Sequence, residues 1–248
     1  MANRDMKLLW QAPAEVPRFF EPAGIASLPE PARRYLLHSI APGTPLVTAF
    51  KLRMRGEIKL KGTWCPFTAE QVTRAWDGFV WRARVVMKGL PVFGSDRWIK
   101  GTGAMKWKLL GLLSVASGDG PDISRSALGR MQGEMIWLPT ALLQPQVKWS
   151  SRADDHVRAE FESGGSFVAL DLSIDADGRV HSLAYLRWGN PGVERFGEHP
   201  FGGEFDSEST FQGVTIPNGM HIGWNNHPGR PRQEWEGFRA TIEYIEFR

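Results

Sequence analysis

Cysteine is nearly absent from this chain, and so are histidine pairs with the spacing of metal ligands. The single cysteine, Cys65, excludes an intrachain disulfide framework and any zinc site built on several thiolates. It lies among apolar residues in Trp-Cys-Pro-Phe, a setting typical of a buried, unreactive thiol. The six histidines are scattered singly, without the helical spacing of paired metal ligands. The sequence therefore predicts no metal site.

Long hydrophobic runs are also lacking. The apolar stretch from Met6 to Trp10 is too short for the hydrophobic region of a secretory signal, and charges flank it. No run approaches the ~20 apolar residues that a membrane-spanning helix needs. We therefore expect a cytoplasmic protein with no transmembrane segment.

The motifs of several common protein classes are missing. The chain has no Gly-x-Ser-x-Gly elbow, which argues against an α/β-hydrolase. It has neither Gly-x-Gly-x-x-Gly nor a Walker A sequence, which argues against nucleotide binding by those loops. The aromatic interleaving of nucleic-acid modules is missing as well. We expect no cofactor and no nucleic-acid partner.

Tryptophan, by contrast, is abundant. The chain has 11 Trp in 248 residues, whereas its 42% hydrophobic and 23% charged content is ordinary for a globular protein. Tryptophan suits both protein cores and the walls of apolar ligand sites. A Trp-rich core and a Trp-lined cavity are both consistent with this composition.

Charge is distributed unevenly along the chain. Residues 1–110 carry 18 Lys and Arg against 8 Asp and Glu, and the remainder carries 12 against 19. The clearest strand pattern, residues 51–61, alternates apolar side chains with a basic stripe. Either the two halves attract each other within one fold, or the basic face meets an acidic partner.

Most of the chain has the short alternating patterns of β-strands. Strands recur at short intervals between turns such as 175–178 and 217–219. Helices are predicted at 27–40 and 122–143. The fold class is therefore α+β: one strongly curved antiparallel sheet of about ten strands, an open half-barrel, with the helices in its concave face. We expect residues 1–26 to be irregular and residues 27–248 to form a single domain.

The predicted helix in the middle of the chain carries a charged pair. Asp122 is a residue type that favours helix N-caps, and Pro139 ends the helical pattern. Arg130 and Glu134 are four residues apart and so share a helix face, with Trp137 on the next turn. These three side chains either line a pocket or brace the helix at the edge of the core.

The loop at residues 197–204 is the second candidate site. His199 is a plausible acid or base, and the glycines that follow it can present backbone N–H groups to an oxyanion. A strand ending in Arg187 and Trp188 leads into this loop, so either side chain can share its cavity. A glycine turn with a capping histidine is the commoner alternative.

Several separate motifs resemble a bacterial family known only as a domain of unknown function. The signature of this resemblance is Glu-x-x-Trp-x-Pro-Thr-Ala at 134–141, and the other matching blocks are 27–36, 64–69, 78–81, 187–189, 199–203 and 213–217. The resemblance covers roughly residues 27–247 and implies no activity. The strand order and the ending Gly-Val-Thr-Ile-Pro also resemble the periplasmic lipoprotein carriers and related lipid-binding proteins. That second resemblance implies an open half-barrel with helices on its concave side.

These observations lead to a first functional hypothesis. The protein binds a hydrophobic or amphipathic, lipid-like small molecule in a Trp-lined cavity between the sheet and the central helix. Arg130, Trp137, Arg187 and Trp188 are its candidate ligand contacts.

Two alternatives stay open. One is a metal-independent hydrolase or isomerase that uses Glu134 or His199 as the acid or base in the same cavity. The other is a partner-binding module that uses the basic face at 51–61. The ligand and the oligomeric state are not specified by the sequence.

Overall fold

A single antiparallel sheet of 13 strands forms the body of the computed structural model, which describes residues 2–12, 18–227 and 229–248. The strands of the first half are β1 (Ala49–Leu60), β2 (Thr63–Arg74), β3 (Gly78–Met87), β4 (Leu90–Ile99), β5 (Thr102–Leu109) and β6 (Leu113–Gly118). Those of the second half are β7 (Lys148–Ala153), β8 (His156–Ser163), β9 (Ser166–Ile174), β10 (Val180–Gly189), β11 (Gly197–Phe211), β12 (Val214–Trp224) and β13 (Glu236–Phe247).

The sheet consists of two meanders joined at one seam. Strands β1 to β6 and β7 to β13 each pair in chain order, and β13 pairs with β1. The edge strands are therefore β6 and β7. This arrangement confirms the predicted fold class.

The predicted count of about ten strands was too low because some turns have no polar signature. Residues 104–114 have the sequence pattern of one continuous strand, whereas the structure has β5, a turn and the start of β6 there. The turn consists of apolar residues, with positive φ at Leu110 (53°) and Gly111 (75°).

The helices lie on both faces of the sheet. They are α1 (Ala2–Gln11), α2 (Glu30–Ser39), α3 (Pro121–Gly133) and the short α4 (Arg232–Trp235), with 3-10 turns at Pro22–Ile25, Glu134–Trp137 and Ala141–Leu143. Helix α3 packs against both β5 and β10, which have seven strands between them in the sheet. The sheet must therefore curve around α3, and we call the face that contacts α3 the inner face.

The hydrophobic core fills the space between the inner face and the segments α2, α3 and 134–143. Its largest fully buried side chains include Tyr35, Phe50, Phe79, Met135 and Leu138. Helix α3 begins after Gly120, whose φ of 98° suits glycine, and Asp122 lies in its first turn. The prediction of Asp122 as the N-cap was therefore wrong by two residues.

The sequence predicted an irregular N-terminal segment, but part of this segment is a helix. Residues 2–11 form α1 on the outer face, where Leu9 packs with Val72 and Val80 in a small separate core. Arg74 donates from Nε to the carbonyl of Leu9 at 2.9 Å. Side chains alternate between the two faces along β2 and β3, and this alternation places Val72 and Val80 together on the outer face. The prolines of the N-terminal segment gave no reason to expect a helix packed on that patch. Residues 13–17 of the predicted irregular segment lie outside the described residues.

Ion pairs along the seam account for part of the uneven charge. On the outer face, Lys51 lies 2.8 Å from Glu246 of β13, and Arg239 of β13 lies 2.6 Å from Glu57. Arg55 pairs with Glu243 at 3.0 Å. The basic stripe of β1 is thus matched by carboxylates of the acidic half.

Candidate functional site

A closed polar network joins α3 to the inner face. Arg130 donates from Nε to Oε1 of Glu134 (2.7 Å) and from Nη2 to Oε1 of Gln71 (3.1 Å). Gln71 completes the ring by donating from Nε2 to Oε2 of Glu134 at 2.6 Å. Each oxygen of Glu134 therefore accepts a strong hydrogen bond, and the predicted Arg130–Glu134 pair is confirmed. The network braces the end of α3 against β2.

Aromatic rings cover the guanidinium of Arg130. It lies 4.9 Å from the ring centres of both Phe79 and Trp81 on β3. A cation held over aromatic faces gains electrostatic attraction that grows as water is removed. This contact holds Arg130 in place in addition to its hydrogen bonds.

Asp96 of β4 extends the network toward solvent. One carboxylate oxygen lies 3.5 Å from Nη1 of Arg130, and the other accepts a 3.0 Å hydrogen bond from Nε1 of Trp107. Burial raises the pKa of Asp96, and the Arg130 charge and the Trp107 hydrogen bond oppose that rise only in part. About a third of the side chain, 31%, stays exposed.

Arg187 and His199 face each other across the β10–β11 ladder, on the inner face. Arg187 donates from Nε to the carbonyl of Ser126 at 3.2 Å. This is the only hydrogen bond of its guanidinium within the described residues, and no carboxylate there forms an ion pair with it. Nε2 of His199 is buried without a hydrogen-bond partner in the same part of the chain.

The environment of Arg187 is apolar on one side. Its guanidinium lies 4.5 Å from the ring centre of Phe201 and 4.9 Å from that of Trp224. Burial lowers the pKa of Arg187, although nearby Tyr185, Glu134 and Asp96 raise it. An arginine stays protonated in proteins even so, because its ordinary pKa is above 12. Arg187 is therefore a fixed cation with donors to spare.

A strip of aromatic and aliphatic side chains crosses the inner face between the two arginines. Consecutive ring centres lie 5.7 Å apart for Trp107–Trp81, 5.8 Å for Trp81–Phe67 and 5.0 Å for Phe67–Phe238. The strip continues through Ile222, the register partner of Phe238, to Trp224 and Phe201, whose ring centres are 4.7 Å apart. We call these seven residues the aromatic strip.

Five members of the aromatic strip are only half-buried: Trp107, Phe201, Ile222, Trp224 and Phe238. Helix α3 covers a different part of the inner face, mainly on β4, β5 and β10. Half-buried aromatic surface on the concave side of a sheet, next to a few polar groups, is typical of sites that bind small apolar molecules.

Two tryptophans predicted as ligand contacts have other surroundings. Trp137 is 6% exposed and packs edge-to-face on Phe50, with ring centres 6.3 Å apart, so it belongs to the core. Trp188 donates from Nε1 to Asp122 at 2.9 Å and is stacked under Arg125, 3.8 Å away. Both partners belong to the first half of α3, so Trp188 lies against the surface of that helix.

Two open surface grooves of about 550 Å³ each lie elsewhere. The first runs along α3 past Arg125, Leu128 and the exposed Phe167, and the second lies between α2 and the 3-10 turn at 22–25. None of the six predicted site residues, all of which the structure describes, lines either groove. The predicted residues are thus divided among the network (Arg130, Glu134), the Arg187–His199 pair, the core (Trp137) and the surface beside α3 (Trp188).

Sequence reasoning missed Gln71, Asp96 and the aromatic strip. Asp96 had a weak signal, because it is the only acidic residue among seven Lys and Arg between positions 78 and 118. Gln71 had none, since its partner Glu134 is 63 residues away along the chain.

Residues 2–12, 18–227 and 229–248 contain no cluster of three or more side chains suited to hold a metal ion. Their helices are all too short or too polar to cross a bilayer.

Comparisons with known proteins add the family. No curated protein matches the chain. Among solved structures, a domain from Vibrio parahaemolyticus named as an outer membrane lipoprotein-sorting protein is 8% identical, with a TM-score of 0.41 over 81% of this chain and 86% of that one. A LolA superfamily protein from Nitrosomonas europaea is 6% identical, with a TM-score of 0.43 over 88% of this chain and 92% of that one.

The resemblance to an uncharacterised family is confirmed by a family model that spans most of the domain. The model matches residues 18–238, which include the predicted signature at 134–141 and all six predicted site residues. The chain belongs to the family of unknown function DUF6544.

Proposed function

We propose that this protein binds an amphipathic small molecule with an anionic head group on the inner face of its sheet. The hydrocarbon part lies along the aromatic strip, and the head group meets the guanidinium of Arg187. The observation that carries the proposal is the contrast between the two inner-face arginines. Arg130 uses three nitrogens within its network, whereas Arg187 has one backbone hydrogen bond and no ion pair within the described chain.

An unpaired cation beside apolar rings is a costly arrangement without a ligand. Burying a charge is unfavourable unless that charge is paired and hydrogen-bonded. A carboxylate, sulfate or phosphate would accept the free Nη donors of Arg187, and the planar guanidinium suits two parallel bonds to such a group. The half-buried side chains of the aromatic strip then account for the apolar part of the ligand, because each CH₂ that they bury contributes about 0.8 kcal/mol.

The first test is to identify what the protein carries. Native mass spectrometry of freshly purified protein, followed by denaturing extraction, should reveal an anionic amphipathic molecule. A bound molecule without a hydrocarbon chain would contradict the proposal.

The second test separates the head group from the tail. Isothermal titration with dodecanoate and with uncharged dodecanol should show tighter binding of dodecanoate. Arg187→Gln should reduce the affinity for dodecanoate roughly tenfold or more, since a hydrogen bond to a charged group contributes about 1.5–3 kcal/mol. The same substitution should leave the affinity for dodecanol unchanged. Phe238→Ala should reduce the affinity for both ligands.

Arg55→Gln is the matched control, because Arg55 is exposed on the outer face and pairs with Glu243. It should leave the affinity for both ligands as in the wild type. Equal loss in Arg187→Gln and Arg55→Gln would show that net charge, and not the inner-face site, determines binding.

A metal-independent hydrolase or isomerase is the second candidate. It is favoured by His199, whose buried Nε2 has no partner in the described chain and which stands opposite Arg187. Glu134 is less suited as the acid or base because both its oxygens accept hydrogen bonds. Loss of turnover in His199→Ala, with dodecanoate binding retained, would favour this function over simple binding.

A further inference from the structure

Large apolar side chains are concentrated at one corner of the sheet. The β5–β6 hairpin exposes Leu110 (51%), Leu112 (78%), Leu113 (65%) and Val115 (49%). The start of β4 adds Leu90 (47%) and Phe93 (43%). The two regions are adjacent because Leu109 pairs with Val92 and the Leu110 N–H donates to the carbonyl of Pro91 at 2.9 Å. We call these six exposed residues the leucine corner.

Such a corner is unusual at a sheet edge. Strand β6 is an edge strand, and natural edges avoid exposed apolar side chains because they promote association. A cluster of exposed large aliphatic residues, in contrast to a single one, marks a surface that contacts something else.

The charges around the leucine corner are all of one sign. Segment 78–118 contains seven Lys and Arg, and its single acidic residue, Asp96, faces Arg130 on the inner face. Arg82 and Arg97 of this segment pair with Glu70 and Asp5. The cations nearest the corner, Arg84, Lys88, Lys106 and Lys108, form no ion pair within the described residues.

The positions of these cations follow from strand register. Phe93 lies between Arg84 of β3 and Lys108 of β5 on the outer face. Lys106 is two residues before Lys108 on the same face, and Lys88 lies in the β3–β4 turn, which is at the same end of the sheet as the β5–β6 turn. The leucine corner therefore has cations beside it and no carboxylate facing it.

We propose that the leucine corner docks this protein on an anionic lipid bilayer surface. The leucines of the hairpin tip enter the boundary between head groups and acyl chains, and the flanking cations meet the anionic head groups. Peripheral binding of this kind needs both an apolar insertion and a basic patch, since either alone is weak. This proposal is independent of ligand binding on the inner face, because it rests on side chains at a corner and on the outer face.

Vesicle co-sedimentation tests the proposal. The full chain should bind vesicles of 70% phosphatidylcholine and 30% phosphatidylglycerol and should not bind pure phosphatidylcholine. Binding should weaken between 0.1 M and 1 M salt, because the Debye length falls from about 10 Å to about 3 Å.

Two double variants separate the two contributions. Lys106→Glu with Lys108→Glu should weaken vesicle binding about thirtyfold or more, given about 1 kcal/mol for each basic residue near the surface. Leu112→Ser with Leu113→Ser should weaken binding about tenfold, because the apolar area that inserts is reduced. Leu112, Leu113 and Lys106 are exposed and Lys108 is half-buried, so thermal unfolding should be close to that of the wild type.

Matched controls exist in the other half of the sheet, beyond the seam between β1 and β13. Lys148→Glu with Arg152→Glu on β7 changes the net charge equally, and Leu186→Ser removes a side chain that is 60% exposed on β10. Both controls should bind vesicles as the wild type does.

Three results would overturn the proposal. Equal loss in the two charge variants would indicate attraction by overall charge, without a docking surface. Unchanged binding in Leu112→Ser with Leu113→Ser would mean that the hairpin does not insert. Absence of vesicle binding, together with a dimer in light scattering that these serines abolish, would show that the corner pairs two copies through β6.

Discussion

Two inner-face arginines at similar depth have different relations to their surroundings. Arg130 is enclosed by Glu134, Gln71 and two aromatic rings, so it holds α3 in place. Arg187 keeps free donors and lies against two rings of the aromatic strip. The same residue type thus braces the fold in one position and keeps unused donors in the other.

Asp96 provides a test of the network through pH. Its pKa is raised in the folded protein, so the folded state binds its proton more tightly than the unfolded state does. The contribution of Asp96 to stability is therefore most favourable at acid pH and is lost as pH rises through the folded pKa. Asp96→Asn, which keeps an acceptor for Trp107 without the charge, should match the wild type at acid pH and become the more stable protein at neutral pH.

The measurement is the difference in melting temperature between Asp96→Asn and the wild type from pH 3 to pH 8. Asp177→Asn, in an exposed turn, is the control and should show no comparable trend. A difference that stays constant with pH would mean that Asp96 keeps its charge at no cost in the fold.

The sequence predicted one part of this network and not the other. The Arg130–Glu134 pair follows from a spacing of four on a helix. Gln71 and Asp96 join the pair only because β2, β3 and β4 place them beside Trp81 on the inner face. Predicting them requires the register of three strands, which alternation alone does not determine.

At the scale of elements, α3 depends on close approach to β10. A Cβ added at Gly133 would lie 2.3 Å from Oη of Tyr185, a distance that real Cβ atoms essentially never show. Tyr185 itself donates from Oη to the carbonyl of Gly129 at 3.0 Å. The helix therefore packs closely on the ring of Tyr185 because Gly129 and Gly133 have no side chains at this contact.

Gly133→Ala should destabilise the protein by about 1–3 kcal/mol, as overpacking of a core typically does, although alanine favours helices. Tyr185→Phe should cost about 1 kcal/mol through its lost hydrogen bond. Because the phenylalanine lacks the closest contacting atom, the double variant should lose less than the sum of the two single losses.

Urea unfolding of the four proteins measures this coupling. Gly24→Ala is the control, since its added Cβ would meet nothing within 4 Å, and it should be nearly neutral. Strictly additive losses would show that α3 and β10 shift apart easily, so that the contact does not fix the helix.

Elements were predicted well where local signals agree and missed where they depend on the sheet. Helix α3 has a Pro at its start, apolar periodicity and a second Pro beyond its end, and it was found. Helix α1 is stabilised by Val72 and Val80, which lie on the outer face of a sheet more than sixty residues later. The segment 1–26 contains no signal of that contact.

At the scale of the whole molecule, the seam between β1 and β13 joins the two meanders. Among the strands that the structure describes, it is the one pairing of strands that are not neighbours in sequence, and it brings the basic stripe of β1 against acidic β13. Lys51 and Glu246 are register partners across this seam, and Arg55 pairs with Glu243. The uneven charge of the two halves is therefore at least partly neutralised inside one fold, which weakens the hypothesis of a partner on residues 51–61.

Charge reversal tests this account of the seam. Lys51→Glu with Arg55→Glu places like charges across the two strands and should destabilise the protein by about 1–2 kcal/mol at low salt. The loss stays small because these side chains are 37–70% exposed and water screens them. Adding Glu246→Lys and Glu243→Arg restores opposite charges with the signs exchanged, and stability should return to near the wild-type value.

Urea unfolding at 0.01 M and 1 M salt completes the comparison. The loss of stability in the double variant should shrink at 1 M salt, where the Debye length is about 3 Å. The charge-exchanged protein should have near wild-type stability at both salt concentrations. Failure of the exchange to restore stability would mean that Lys51 and Arg55 act through something other than β13. Lys51 also stacks on Trp10 of α1 at 5.0 Å, so a loss that persists after the exchange would point to that helix as the partner that matters.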